Sequence, residues 1–204
     1  MNNLIFFLRD LKSTGALVPS SKFLVKDAVS ILKDKISKSD KPFRVLELGP
    51  GTGTLTREIT KALRPQDHLD LVEINPHFTR MLRRKFKGSN VRIHFADFLE
   101  FNALQPYDYI LSSIPYESVP ESVSKEIWIK KLMLTTPGGH ITYYKYLNFN
   151  HFRCRFEKKV VREMCMDEKV TFLNFPPAKI YTLCIQDTVS SFPFLKDQQV
   201  PVSA

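Results

Sequence analysis

Val45-Leu46-Glu47-Leu48-Gly49-Pro50-Gly51-Thr52-Gly53 is the stretch of this 204-residue chain that decides its fold. A short apolar run holds one carboxylate and passes into a loop with glycine at three alternating positions, and a helix-like segment follows. Glycine lets a backbone approach a ligand closely and adopt conformations that a Cβ forbids. A strand, a glycine loop and a helix N-terminus together form a cradle for a cofactor that carries a nucleoside.

Strands and helices alternate around this stretch. Apolar periodicity predicts helices at 2–11, 20–37, 54–63, 76–86, 120–134 and 152–166, and strands at 43–48, 69–74, 91–95, 107–112, 140–146, 170–175 and 179–186. This alternation with short loops predicts a parallel, doubly wound α/β sheet with helices on both faces. Because only Pro176-Pro177-Ala178 separates the last two strands, they must pair as an antiparallel hairpin.

The length of the chain is that of one domain with a sizeable core. We expect an N-terminal helical segment over residues 1–38, the sheet domain over 39–189 and a flexible tail over 190–204. The three cysteines have no Cys-x-x-Cys spacing and the histidines are scattered, so neither a disulfide framework nor a metal site is expected.

A nicotinamide dinucleotide is the first candidate for the cradle, and its fingerprint is Gly-x-Gly-x-x-Gly. Here the third glycine comes one residue early, at Gly53, and Thr54 takes the sixth position. This mismatch argues against a pyrophosphate seated on the helix N-terminus.

Two carboxylates further along fit a different nucleoside. Glu73 ends the second predicted strand, next to Ile74, and can accept two hydrogen bonds from a ribose diol. Asp97 follows the third strand, where it can accept from an adenine amine while Phe98 covers the ring face.

This order of motifs resembles the class I S-adenosylmethionine-dependent methyltransferases, in which Glu-x-Gly-x-Gly-x-Gly is followed by an acid after strand two and another after strand three. The resemblance implies a Rossmann-like seven-stranded sheet with an antiparallel last strand, with S-adenosylmethionine as cofactor and S-adenosylhomocysteine as product. It also implies the cofactor-binding residues: Glu47, Gly49, Gly51, Gly53, Glu73, Ile74, Asp97 and Phe98.

In such folds the acceptor site lies beyond the carboxyl end of strand four. Here that segment holds Ser113, Pro115 and Tyr116, which we predict as the catalytic residues. A carbonyl or hydroxyl near Ser113 can accept hydrogen bonds from an amine, and Tyr116 offers a π face to developing positive charge. Pro115-Tyr116 is equally compatible with a rigid turn and a packed aromatic ring.

Two methyltransferase families resemble the chain more closely. The ribosomal RNA adenine dimethylases are similar in 46–53 and in a Pro-Tyr after strand four. That family reads Asn-Leu-Pro-Tyr, and its asparagine holds the adenine amine; Ser113 takes that position here. The family also carries a C-terminal helical domain for RNA, and we expect no room for one after Gln186.

The bacterial phospholipid N-methyltransferases resemble nearly the whole chain. The shared segments are Gly15-Ala16-Leu17-Val18-Pro19-Ser20-Ser21-Lys22-Phe23-Leu24, Ser113-Ile114-Pro115 with Ser118-Val119-Pro120, and Asn174-Phe175-Pro176-Pro177-Ala178-Lys179. Tyr116 departs from the apolar or tryptophan residue expected there. This resemblance implies methylation of the phosphatidylethanolamine amine; the alternatives are adenine N6-methylation of ribosomal RNA and a non-catalytic protein that docks on membranes.

The N-terminal segment fits a lipid surface. The predicted membrane and substrate residues are Leu4, Phe7, Leu8, Leu11, Lys12, Ser21 and Phe23. An amphipathic helix with basic flanks can lie in a membrane interface, although such a helix can also pack its apolar stripe on the sheet. The basic clusters at 80–87 and 153–159 are solvated helix faces or phosphate contacts.

The charge balance favours an anionic partner, since 30 basic residues exceed 21 acidic residues by nine. No segment approaches the length of a spanning helix, and no secretory signal is recognised. We therefore expect a cytoplasmic monomer that is peripheral on the inner face of an anionic membrane and has no stable nucleic-acid partner.

Overall fold

The computed structural model describes residues 21–116, 119–147 and 154–186. Within these residues seven strands form one sheet in the order β3-β2-β1-β4-β5-β7-β6. The strands are β1 (Arg44–Leu48), β2 (His68–Glu73), β3 (Val91–Phe95), β4 (Tyr107–Ser112), β5 (Thr135–Tyr146), β6 (Cys165–Thr171) and β7 (Ala178–Cys184). All pairings are parallel except those that β7 makes with β5 and β6, so β7 alone runs against the others. The predicted doubly wound sheet with its antiparallel last strand is confirmed.

The helices cover both faces of the sheet and create two cores. They are α1 (Lys22–Ser37), α2 (Thr54–Thr60), α3 (Pro76–Lys85), α4 (Glu121–Met133) and α5 (Arg155–Met164). One core gathers α1, α2 and α3 residues with one face of the sheet, and the other gathers α4 and α5 residues with the opposite face. Strand β1 is buried from Val45 to Leu48, as expected of a central parallel strand covered on both sides.

Helix α1 packs on the sheet through its own apolar stripe. Leu24, Ala28 and Leu32 recur at helical spacing and are fully buried. Ser21 caps the helix, since its hydroxyl accepts a hydrogen bond from the Leu24 N–H at 3.2 Å. The described part of the predicted N-terminal segment therefore belongs to the core, whereas Leu4, Phe7, Leu8, Leu11 and Lys12 lie outside the described residues.

The prediction of a strand at 170–175 is wrong. Strand β6 comprises Cys165–Thr171, and a turn over 172–177 joins it to β7. The cause is that β6 is an edge strand held by backbone bonds to β7, with every residue from Met166 to Val170 exposed, so it lacks apolar alternation. The apolar residues that suggested a strand instead occupy the turn.

The strand register brings several segments to one edge of the sheet, by which we mean the end at which the parallel strands have their carboxyl termini. The parallel strands β1, β2 and β4 end there at Leu48, Glu73 and Ser112. Because β7 runs in reverse, its first residue Ala178 pairs with Tyr146, the last residue of β5. The turn between β6 and β7 therefore lies on the same edge as the loops that follow β1, β2 and β4.

Candidate cofactor and methyl-acceptor site

The glycine loop after β1 adopts backbone angles that side chains rarely allow. Gly49, Gly51 and Gly53 have φ angles of 68°, 54° and 76°. A Cβ on Gly53 would lie 2.8 Å from Leu82 Cδ2, so this glycine also lets α2 pack closely against α3. Around Gly51, by contrast, nothing lies within 4 Å of the Cβ position. The loop thus presents open backbone at its middle glycine and tight packing at its last.

Glu73 holds this loop from the neighbouring strand. Its Oε2 accepts a hydrogen bond from the Gly51 N–H at 3.0 Å, and its Oε1 accepts one from the Asn75 N–H at 2.8 Å. Each carboxylate oxygen retains a second lone pair. The residue predicted to bind a ribose diol therefore has the capacity to do so and also positions the glycine loop.

Glu47 is fully buried beneath the same loop, with Thr56 and Glu73 as its polar neighbours. Burial raises the pKa of Glu47 to about 8 against hydrogen bonds from Thr56, and the neighbouring Glu73 carboxylate adds to the rise. Burial likewise raises the pKa of Glu73, against the hydrogen bonds from Asn75 and Gly51. The Glu73 carboxylate beside an open glycine backbone fits a ligand that carries a ribose, as S-adenosylmethionine does.

We expect the substitution Glu47→Gln to remove a pH dependence of stability. Unfolded Glu47 ionises near 4.5, whereas the folded residue holds its proton up to about pH 8. The native chain binds the extra proton within this window, so the wild-type free energy of unfolding should fall, relative to that of Glu47→Gln, by roughly 3–5 kcal/mol as pH rises through it. Urea denaturation at several pH values measures this difference.

The matched control is Glu126→Gln, at an exposed position of α4. The free energy of unfolding of that variant should equal that of the wild type at each pH. A wild-type protein whose stability relative to Glu47→Gln stays constant from pH 5 to 8 would show that Glu47 is ionised in the folded chain.

The predicted adenine-binding residues lie at the end of β3. Asp97 is buried, and its Oδ1 accepts a hydrogen bond from the Leu99 N–H at 2.9 Å. Phe98 is buried in the core, where Lys130 Nζ lies 5.6 Å from its ring centroid. Ile74 is half-buried and packs against the same core. Their predicted roles toward the cofactor stay predictions.

The acceptor segment touches the glycine loop. The Ser113 N–H donates to the Leu48 carbonyl at 2.9 Å, which fixes the segment beside the end of β1. A Cβ on Gly49 would lie 3.7 Å from the Ser113 carbonyl carbon. Ser113 and Pro115 are half-buried. The structure therefore places the predicted cofactor loop and the predicted acceptor segment in direct contact.

Tyr116 lies beneath this segment rather than on its surface. Its hydroxyl is 2.7 Å from Ser112 Oγ and accepts a hydrogen bond from Lys131 Nζ, also at 2.7 Å. Its ring stacks on Trp128 and meets Tyr143 edge to face, at centroid distances of 5.6 Å each. The predicted contact of this ring with a charged acceptor stays a prediction.

Lys131 and Ser112 were not predicted from the sequence. Lys131 is fully buried, with Nζ 3.1 Å from the Trp128 ring centroid, and burial lowers its pKa well below the ordinary value. The hydrogen bonds and aromatic contacts hold Tyr116 and the end of β4 in one arrangement. The available signal was a lysine at a position where the helix is otherwise apolar, between Trp128 and Leu132.

Comparisons with known proteins agree with this geometry. The family model described as ribosomal RNA adenine dimethylase matches residues 20–144. An ornithine lipid N-methyltransferase of Singulisphaera acidiphila is 25% identical over 186 residues, which cover 86% of this chain and 90% of that protein. The ribosomal RNA small subunit methyltransferase A of Mycoplasma capricolum is 35% identical over 96 residues, which cover 44% of this chain but only 35% of that protein.

Solved structures share the fold. The N-methyltransferase NodS from Bradyrhizobium japonicum, in complex with S-adenosylhomocysteine, superposes with a TM-score of 0.65 at 15% identity and covers 92% of this chain and 100% of its own. The fold and the site thus define a class I S-adenosylmethionine-dependent N-methyltransferase. Within that class, the chain belongs to the ribosomal RNA adenine dimethylase family. S-adenosylmethionine is its methyl donor.

Proposed function

We propose that this chain methylates the amine of a lipid headgroup, with phosphatidylethanolamine as the acceptor. The main support for the proposal is the share of each relative's length that its match to this chain covers. The match to the ornithine lipid N-methyltransferase covers 90% of that protein, whereas the match to the Mycoplasma capricolum ribosomal RNA methyltransferase covers about a third of its length. Membership of the adenine dimethylase family makes ribosomal RNA the second candidate acceptor.

Ser113 supports an alkyl amine over an adenine. The adenine-binding family has asparagine at this position, and an amide can both donate to and accept from a base edge. The serine side chain is shorter and presents a single hydroxyl at the half-buried position beside Gly49. A serine hydroxyl would offer an alkyl amine one acceptor oxygen.

The chain's own residues would bind the donor and orient the acceptor. Bound S-adenosylmethionine supplies an electrophilic methyl group on its sulfonium, which must be met in line by a lone pair. Glu73 and Asp97 would hold the ribose and adenine, and the glycine loop would lie along the amino acid part. Ser113 and Pro115 would confine the amine at the end of β4.

The acceptor amine must reach this position without its proton. Transfer from water to a half-buried site next to positive charge lowers the pKa of an amine. The hydrogen bonds that Tyr116 shares with Ser112 and Lys131 would keep the wall of the site fixed while the amine is held. The lowered pKa would let the amine release its proton to water before it is enclosed; its lone pair would then form the new C–N bond as the methyl–sulfur bond breaks.

Methyl transfer to defined lipids tests the proposal. The purified chain is incubated with methyl-labelled S-adenosylmethionine and vesicles that contain phosphatidylethanolamine, an ornithine lipid or only phosphatidylcholine. We expect label in the phosphatidylethanolamine fraction and none in phosphatidylcholine, which has no free amine. Label confined to the ornithine lipid would keep a lipid amine as acceptor but overturn the headgroup, and label in no lipid would overturn the proposal.

A further inference from the structure

Three large apolar side chains project from the turn between β6 and β7. Phe172, Leu173 and Phe175 are 75%, 68% and 89% exposed, and we call these three residues the hairpin tip. Single exposed apolar residues are ordinary on protein surfaces. Three within four positions on one turn form a projecting apolar surface, which is typical of an interaction site.

The hairpin tip is built on a fixed base. Asn174, in its midst, is buried, and its Oδ1 accepts a hydrogen bond from the Ser21 N–H at 2.9 Å. Its Nδ2 donates to the Pro176 carbonyl at 2.7 Å. The turn therefore anchors one polar side chain inward against the start of α1 and directs its apolar neighbours outward.

The start of α1 extends this surface with apolar and basic groups. Phe23 is 52% exposed, and Lys22 and Lys26 are exposed beside it. The first turn of α1 contains no acidic residue. An apolar projection next to exposed lysines complements an anionic lipid surface, where apolar side chains enter the interface and lysines meet the phosphates.

The hairpin tip also lies on the functional edge of the sheet. It follows β6 and precedes β7 on the edge where β1, β2 and β4 end. In the sheet order, β5 alone separates β7 from β4, so these two strands lie roughly 10 Å apart across the sheet. A surface docked here would lie at the same end of the sheet as the acceptor segment.

We propose that the hairpin tip, together with Phe23, Lys22 and Lys26, docks the chain on an anionic phospholipid bilayer. The inference rests on the proposed lipid acceptor, and it adds the surface that brings the acceptor segment to the headgroups. We commit to a lipid rather than RNA because the projecting side chains are purely apolar and the lysines lie beside them, as in an interface that inserts into a bilayer, whereas RNA binding is an outcome of the test.

Vesicle flotation of the full chain tests the docking. The vesicles contain phosphatidylethanolamine with a minority of phosphatidylglycerol, and the variant is Phe172→Ser/Leu173→Ser/Phe175→Ser. We expect partitioning onto vesicles to fall about tenfold or more, because apolar insertion is lost. The matched control is Leu104→Ser, since Leu104 is 95% exposed but precedes β4 at the opposite edge; its partitioning should change less than about twofold.

A second variant tests the two lysines of the docking surface. Lys22→Glu/Lys26→Glu should weaken partitioning on vesicles that contain phosphatidylglycerol and leave partitioning on uncharged vesicles within about twofold. All substituted side chains are exposed, so thermal unfolding should match that of the wild type and exclude misfolding as the cause.

Four results would overturn the proposal: wild-type protein that does not float, a triple variant that floats as the wild type does, an equal loss in Leu104→Ser, or a triple variant that loses binding to ribosomal RNA but not to vesicles. Hydroxyl-radical footprinting of the free protein should label Phe172 and Phe175. Protection there would mean that a second copy or another part of the chain covers the hairpin tip.

The proposed docking surface and the proposed lipid acceptor can be tested separately. Flotation requires no methyl transfer, so it reports docking even if the acceptor is wrong. Conversely, a short-chain phosphatidylethanolamine below its micelle concentration reports chemistry without a surface. We expect the triple variant to methylate this soluble lipid at the wild-type rate and to lose activity only on vesicles.

Discussion

Replacing Glu73 with glutamine is expected to lower the affinity for S-adenosylmethionine about a hundredfold or more. Both carboxylate oxygens accept backbone N–H groups, from Gly51 and Asn75, at 3.0 Å and 2.8 Å. A glutamine amide presents one oxygen and one NH2 group, so one of these backbone donors would face another donor. The variant would therefore loosen the glycine loop and lose an acceptor for the ribose at the same time.

Isothermal titration calorimetry with the purified variant measures this loss. The control is Glu58→Gln on α2, whose carboxylate pairs with Lys61 at 2.6 Å on the surface. That variant should bind the cofactor as the wild type does. Unchanged affinity in a folded Glu73→Gln protein would refute both the ribose assignment and the role of Glu73 in holding the loop.

The substitution Lys145→Met should cost roughly 3–5 kcal/mol of the free energy of unfolding. Lys145 Nζ pairs with Glu157 Oε2 at 3.0 Å, and both side chains are about 1% exposed. Removing the Lys145 cation leaves the Glu157 carboxylate buried without the positive charge that contacts it in the wild type. The pair joins β5 to α5 on the face that also carries Tyr116, Trp128 and Tyr143.

Chemical denaturation of the single and double variants tests this pair. Lys145→Met/Glu157→Leu should recover most of the loss, because an apolar pair of similar size needs no charge compensation. Lys38→Met is the surface control: Lys38 lies 2.7 Å from Asp34, yet this exposed pair should be worth less than about 1 kcal/mol. Equal costs at the two lysines would contradict the buried pair.

The sequence predicts those parts of the molecule that local rules determine. The φ angles of the glycine loop demand glycine, and Glu73 and Asp97 follow strands whose apolar runs mark their ends. Strand alternation therefore predicts both the sheet and the edge on which these residues meet. The antiparallel last strand follows from a connection too short for a crossover.

Other parts depend on contacts that no local pattern shows. Lys131 reaches Tyr116 across 15 positions, and its burial could be known only after α4 had been placed on the sheet. Strand β6 escapes prediction because edge pairing needs only backbone groups, so its side chains can be polar. The sequence of the turn after β6 resembles a strand because several of its side chains are apolar. In the structure these side chains are exposed.

Two features are absent from the part of the chain that the structure describes. No group of three or more histidine, cysteine, aspartate or glutamate side chains is placed to hold a metal ion there. Among those residues, no helix has the length and apolar character needed to span a bilayer. The cytoplasmic, peripheral location and the monomeric state stay predictions.

A competition between the two acceptors tests the central claim most directly. One mixture contains limiting methyl-labelled S-adenosylmethionine, vesicles with phosphatidylethanolamine and deproteinised small-subunit ribosomal RNA, and the label is then counted in the lipid and RNA fractions. We expect label in methylated phosphatidylethanolamine and background counts in the RNA. Label in adenine of the RNA, with none in lipid, would contradict the central claim.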